Sequence, residues 1–178
     1  MEKNSGAKTI RRIALIGPES SGKTTLCMQL AEHYKTIWVP EYARAYMQHL
    51  DRLYTYEDVI HCTREQLKAE DAMLDKANHY LFCDTELINC KIWFEDKFDM
   101  VPAWLETEIT KREYDLYLLT MPDLPWVHEA VRENPHRRDY FFDLYKKELE
   151  KRNFTYRMVS GIGEARLADA IRFIDSVF

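Results

Sequence analysis

The sequence predicts an α/β fold in three layers, a five-stranded parallel sheet between two layers of helices. Two observations lead there. Five short apolar runs, at residues 13–16, 36–39, 79–83, 114–119 and 154–159, lack the polar alternation of a sheet with one wet face. Longer helix-favouring stretches separate them, and strands buried on both faces with helices between them assemble through right-handed crossovers. With 178 residues, 46% of them hydrophobic, the chain is long enough for one well-buried core and short for two, so one domain over residues 12–178 is expected.

The elements follow in order. Residues 1–11 are polar, include Asn4, Ser5 and Gly6, and read as a flexible tail. The run Ile13-Ala14-Leu15-Ile16 is a buried strand, and after the stretch GPESSGKT the residues 24–34 carry Leu26, Leu30 and Ala31 at helical spacing. Residues 36–39 are extended again and stop at Pro40. Residues 42–78 hold one or two helices, with amphipathic faces over 56–67 and 66–76. The third strand ends at Asp84 and the fourth near Thr120 and Pro122. Gly161 and Gly163 mark a turn between the fifth strand and an amphipathic helix over 165–178. Residues 94–111 and 126–139 are expected as mobile segments beyond strand ends.

Charge and cysteine usage exclude several classes. A net charge of -5 with dispersed lysines and arginines lacks the basic excess of a nucleic-acid binder. No stretch approaches the ~18 apolar residues of a membrane span, and MEKNSGAKTIRR lacks a signal peptide's apolar region. Cys27, Cys62, Cys83 and Cys90 have neither metal-like nor disulfide-framework spacing. A cytoplasmic protein with a small-molecule partner, and with neither nucleic acid nor membrane, is expected.

Residues 17–24, GPESSGKT, fit G-x-x-x-x-G-K-[ST]. Gly17 and Gly22 let the backbone of Glu19, Ser20 and Ser21 wrap around phosphate oxygens, and the helix opening at Thr24 and Thr25 adds its positive end. Lys23 faces the β- and γ-phosphates, and the Thr24 hydroxyl suits a hard cation. The expected fold is therefore a P-loop NTPase carrying ATP and Mg²⁺, with an arginine-bearing lid.

Ligands of open α/β sheets sit beyond the carboxyl ends of the strands. Asp84, ending the third strand in FCDTE, is a candidate metal carboxylate, or else a helix N-cap. Glu41, after the second strand in VPEYARAY, is a candidate general base, or else an ion-pair partner of Arg44; Asp84 is the alternative base. Arg132, Arg137 and Arg138 lie where a lid brings guanidinium groups onto a transferring phosphate, or else face solvent. Arg132 and Arg137 are catalytic candidates and Arg138 a nucleotide-binding one. Tyr42, Tyr46, Trp93 and Trp126 are candidates for stacking on a planar ring, with Tyr42 and Trp126 foremost because each follows a strand end. Gly161 and Gly163 either approach an adenine base or simply form a tight turn. His128 and His136 are read as surface residues.

These residues together resemble the nicotinamide riboside kinase domain of NadR-type proteins over nearly the whole chain. The resemblance rests on GPESSGKTTL, EYARAY, FCDTE, DLYLLTMPDLPWV and HRRDYF. It implies a P-loop phosphotransferase that phosphorylates the ribose 5′-hydroxyl of nicotinamide riboside with ATP, giving nicotinamide mononucleotide for NAD salvage. It also implies Lys23 and Thr24 on triphosphate and metal, Asp84 or Glu41 near the acceptor hydroxyl, and Arg132 and Arg137 in the lid. Trp126 and Tyr42 are implied beside the nicotinamide ring, so the substrate-side residues are Glu41, Tyr42, Arg44, Asp84 and Trp126. NadR-type proteins carry an adenylyltransferase domain before the kinase, and a stand-alone kinase is expected here. The lid stretch RENPHRRDY departs from the family's usual loop. Competing readings are a kinase for another nucleoside or small metabolite, and a regulatory ATPase or GTPase; no guanine-reading N-K-x-D stretch is present.

Overall fold

The computed structural model of the protein describes residues 9–112, 114–129 and 132–178. Strands β1 (Arg11–Ile16), β2 (Ile37–Val39), β3 (Tyr80–Asp84), β4 (Leu116–Thr120) and β5 (Tyr156–Val159) form one parallel sheet in the order β2-β3-β1-β4-β5. All five expected strands are present within two residues of their predicted bounds. Most of the expected tail, residues 1–8, lies outside the described residues, and β1 already begins at Arg11.

Alternation along β1 divides the core. Ile13 and Leu15 pack with Leu26 and Leu30 of α1 (Lys23–His33) and with Ala170 and Ile174 of α7 (Glu164–Val177). Ala14 and Ile16 turn to the other face, against Val59 of α3 (Tyr56–Leu74), Phe94 of α4 (Leu87–Phe98), Ile109 of α5 (Ala103–Lys111) and Leu149 of α6 (Arg138–Lys151). Every residue of β4 is buried, as a central parallel strand requires.

Residues 42–78 form two helices, the short α2 (Tyr42–Gln48) and the long α3, whose two amphipathic stretches are one continuous face. The start of α3 is fixed by a capping box in which Thr55 Oγ1 accepts from the Asp58 N–H and Asp58 accepts from the Thr55 N–H.

Residues 94–111 correct the expectation of a mobile segment. They complete α4 and form α5, and Phe94, Leu105 and Ile109 are buried. The charges that suggest solvent are partly internal: Lys91, 4% exposed, is paired with Glu95 at 2.5 Å and Glu148 at 3.1 Å. Residues 126–129 and 132–137 have no regular structure and cross the carboxyl edge of the sheet, where a lid is expected; Ala130 and Val131 lie outside the described residues.

Register brings the strand ends together. Leu15 is opposite Asp84, Ile16 opposite Leu119 and Val39 opposite Cys83, so β1, β2, β3 and β4 all deliver their carboxyl ends to one edge. Two acids, Glu86 and Glu70, are buried in the fold. Burial raises Glu86 to about 8 although its Oε1 accepts the Ile88 N–H at 2.8 Å; its Oε2 has no hydrogen-bond partner among the described residues. Burial likewise raises Glu70 to about 7 despite the Tyr114 hydroxyl and Arg112 at its carboxylate.

Two outcomes test this packing. Phe94→Ala should cost about 3–5 kcal/mol in urea unfolding, whereas Met100→Ala, at an exposed side chain, should cost under ~0.5 kcal/mol. Because the folded chain holds protons on Glu86 and Glu70 that the unfolded chain has released above its ordinary carboxyl range, stability should fall as pH rises from about 5 to about 8. Thermal melts of Glu86→Gln across that range should show a shallower decline than the parent.

Candidate active site

The loop between β1 and α1 owes its shape to what it packs against. At Gly17 (φ 139°) an added Cβ would lie 2.5 Å from Thr120 Oγ1, and at Gly22 (φ 79°) 2.7 Å from Leu124 Cδ1, so both positions require glycine. Ser21 shares a 2.6 Å hydrogen bond with the Thr120 hydroxyl and donates to the Pro18 carbonyl at 2.7 Å. Sequence reasoning missed Arg166, a buried α7 side chain that donates to the Ser21 and Met121 carbonyls and pairs with Asp123 at 2.7 Å. It also donates to Gly161, whose N–H is held by Asp123, so the tight-turn reading accounts for Gly161.

Lys23 Nζ donates to the Gly17 and Pro18 carbonyls, both at 2.9 Å, and so curls over the loop. Loss of solvent lowers its pKa, opposed by the nearby charges of Glu41 and Asp84. The first turn of α1 carries no acid, leaving its positive end open to an anion, and Thr25 is exposed beside it. The Thr24 hydroxyl donates to Asp84 Oδ2 at 2.5 Å, uniting the two expected metal ligands. Asp84 Oδ1 is buried without a hydrogen-bond partner among the described residues, and desolvation together with the charge of Glu41 lifts the carboxyl to about 6. Two hard oxygens, one orphaned, fit a Mg²⁺ that phosphate and water complete. Among the described residues no group of three or more His, Cys, Asp or Glu side chains forms a metal cage of its own.

Glu41 precedes α2 and meets Arg44 at 3.3 Å, so the ion-pair reading holds geometrically while the carboxylate still lines the cleft beside Lys23. Arg44 also meets Glu129 at 2.6 Å, and Glu129 meets Arg132 at 2.6 Å, a chain of charges from α2 to the lid. Glu129 is a residue that sequence reasoning missed. P-loop side chains hold the lid as well: Glu19 accepts from the N–H groups of Glu133 and Asn134 at 3.1 and 2.9 Å, and Ser20 Oγ accepts from the Val127 N–H at 2.9 Å.

The three arginines part company. Arg132 lines the cleft and donates to the Val127 carbonyl. Arg138 donates to the Leu124 carbonyl at 2.7 Å and to the Ser20 carbonyl at 3.5 Å. Arg137 is drawn away, paired with Asp96 of α4 at 2.5 Å and lying over the Tyr140 and Phe141 rings. His128 and His136 are exposed, as expected.

A cleft of about 480 Å³ runs from the P-loop past Glu41 and Arg44 to a recess lined by Gln66, Asn89, Trp93, Phe141 and Tyr145. Tyr42 does not line it: α2 starts at that residue, and its hydroxyl meets His61 at 3.2 Å on the outer face, where its ring stacks on Tyr46. Trp126 does not line it either, its ring lying near Arg138. The aromatic walls come instead from Trp93, in contact with Tyr54, and from Tyr145 and Phe141.

A phosphate cradle at the edge of a five-stranded parallel sheet, with lysine, threonine and a strand-end aspartate in place, defines a P-loop nucleotide-binding protein. Residues 12–166 match the AAA_28 family, described as an AAA domain, and the chain belongs to that family. It is homologous to the trifunctional NAD biosynthesis/regulator protein NadR of Escherichia coli (strain K12), 27% identical over 153 residues that cover 83% of this chain and 37% of the relative. The chain thus spans little more than a third of that relative's length. Its fold matches that of a NadR protein solved in complex with NR, with TM-score 0.82, 19% identity, and coverage of 94% of this chain and 51% of that one. It also matches a deoxyadenosine kinase from M. mycoides solved with dCMP and dCDP, with TM-score 0.66, 12% identity, and coverage of 93% and 99%. Among the described residues no helix is long and apolar enough to cross a membrane, and Cys27, Cys62, Cys83 and Cys90 are free and buried.

Asp84 gives the clearest test of the site. Its folded pKa lies above the ordinary aspartate value, so at pH 7.5 its charge opposes folding, and Asp84→Asn should stabilise the ligand-free chain by roughly 3 kcal/mol. The same variant should lose the increment in melting temperature that Mg²⁺ adds to ATP.

Proposed function

We propose that this chain transfers the γ-phosphoryl group of ATP to the 5′-hydroxyl of nicotinamide riboside, giving nicotinamide mononucleotide. The observation that carries this reading is the continuity of one cleft from Lys23, past Glu41, to an aromatic-walled recess large enough for a nucleoside. Kinship with NadR and the solved NadR complex with NR support the choice of acceptor.

Phosphoryl transfer depends on positioning and on neutralising charge over the transferring oxygens. Lys23 and the P-loop N–H groups hold the β- and γ-phosphates, with Arg132 over them from the lid and Arg138 bracing the loop beneath. Thr24 and Asp84 would hold Mg²⁺, which when bound would supply Lewis-acid charge neutralisation. With Asp84 committed to the Thr24 hydroxyl, Glu41 is the carboxylate that takes the acceptor's proton, and Arg44 keeps it oriented. Arg137 has no part in this scheme, being held by Asp96. A cytoplasmic location suits the substrates and the four free thiols.

Purified protein given ATP, Mg²⁺ and nicotinamide riboside should form the mononucleotide, detectable by chromatography. Lys23→Ala should abolish product without changing the unfolding transition, and Glu41→Gln should lower kcat by about 10²–10⁴-fold while nucleotide still binds. Turnover of deoxyadenosine or thymidine but not nicotinamide riboside would reassign the acceptor. ATP hydrolysis with no phosphorylated riboside would instead favour a regulatory ATPase.

A further inference from the structure

Arg166 is placed against two local preferences. It is the third residue of α7, where the helix dipole disfavours a cation, and at 4% exposure its charge has been taken out of water. Departures from local preference concentrate where a side chain has a task beyond packing.

Its four terminal N–H bonds are all engaged. Nη1 donates to Asp123 Oδ1 at 2.7 Å and to the Gly161 carbonyl at 2.8 Å, and Nη2 donates to the Ser21 carbonyl at 2.7 Å and to the Met121 carbonyl at 3.1 Å. Asp123 is held in turn by the Gly161 N–H at 2.7 Å. A guanidinium is planar, so four such bonds fix its plane as well as its position. The bond to Ser21 has a consequence on the far side of the peptide. In a planar trans peptide the C=O and the next N–H point in opposite directions, so drawing the Ser21 carbonyl toward α7 turns the Gly22 N–H away from it. Among the described residues no acceptor meets that N–H.

We infer that Arg166 is a positioning residue for the phosphate loop: it touches no ligand, and by fixing the Ser21–Gly22 peptide it presents the Gly22 N–H to an oxygen of a di- or triphosphate. The inference rests on the phosphate-binding half of the reading above and requires no particular acceptor. Asp123 belongs to the same device, since it sets where the guanidinium lies. A lysine could not replace the arginine, because three donors on one nitrogen cannot span the loop, the end of β4 and the turn at Gly161 in one plane.

Tripolyphosphate probes the cradle without base, sugar or turnover, and selective ¹⁵N-glycine labelling leaves five amide signals to follow. In the parent, tripolyphosphate should move the Gly22 signal downfield. Arg166→Met should largely lose that movement, and its calorimetric Kd for tripolyphosphate should rise about 10- to 100-fold, the range for losing a hydrogen bond to a charged group. Arg166→Lys should restore neither. Arg172→Met, which removes an exposed charge from the same helix, should behave as the parent. Rates with ATP and nicotinamide riboside should place the loss in KM for ATP and leave KM for the riboside unchanged. Asp123→Asn, which loosens the guanidinium without emptying its site, covers the case in which Arg166→Met does not fold; it too should weaken tripolyphosphate and diminish the Gly22 movement, and parent-like values for both would overturn the assignment. So would parent-like binding in Arg166→Met, full recovery in Arg166→Lys, or an equal loss in Arg172→Met. An equal fall in affinity for the riboside would also overturn it, since Arg166 would then be a general support of the fold. A parent that binds tripolyphosphate through Gly22 and phosphorylates no riboside would defeat the phosphotransferase reading and leave this one standing.

Discussion

Everything at this site depends on how closely the P-loop backbone lies against the end of β4. Gly17 sits where no side chain fits beside Thr120, and the Ser21 hydroxyl bonds to the Thr120 hydroxyl. Arg166 then reaches from α7 to the Ser21 and Met121 carbonyls. The loop is thus clamped between a central strand and the last helix, so its N–H groups are aimed before a phosphate arrives. Preorganised dipoles of this kind act without having to be rearranged during the reaction.

A second consequence of this clamp is electrostatic. With the loop fixed, Thr24 and Asp84 come within a 2.5 Å hydrogen bond, and the buried carboxyl is left with one bare oxygen and a raised pKa. Glu41 stands close enough to add to that shift. Two acids thus stand at one strand edge in unlike surroundings, Asp84 buried and Glu41 more accessible.

Sheet, P-loop and strand-end acids were legible in the sequence because each is a local pattern: a continuous apolar run, a glycine spacing, a carboxylate just past a strand. The helical character of residues 94–111 was hidden because Lys91 and its glutamate partners carry charge into a packed region. Tyr42 misled because α2 begins at that residue and turns its ring outward, and no strand-end rule sets the direction of a side chain in the next element. Arg137 and Arg138 are neighbours with opposite fates, decided by Asp96, some forty residues earlier in the chain. Gln66, Asn89, Glu129 and Arg166 leave no local signal at all, since each is one polar residue in a helix or loop and gains meaning only from what the fold sets opposite it.

Glu19 and Ser20 belong to the loop that wraps phosphate, yet their side chains also fasten the lid backbone at Val127, Glu133 and Asn134. Cradle and lid therefore share direct hydrogen bonds. In mechanical terms the loop is a lever: a displacement of Ser20 would act directly on Arg132, whose guanidinium reaches the Ser20 hydroxyl at 3.4 Å.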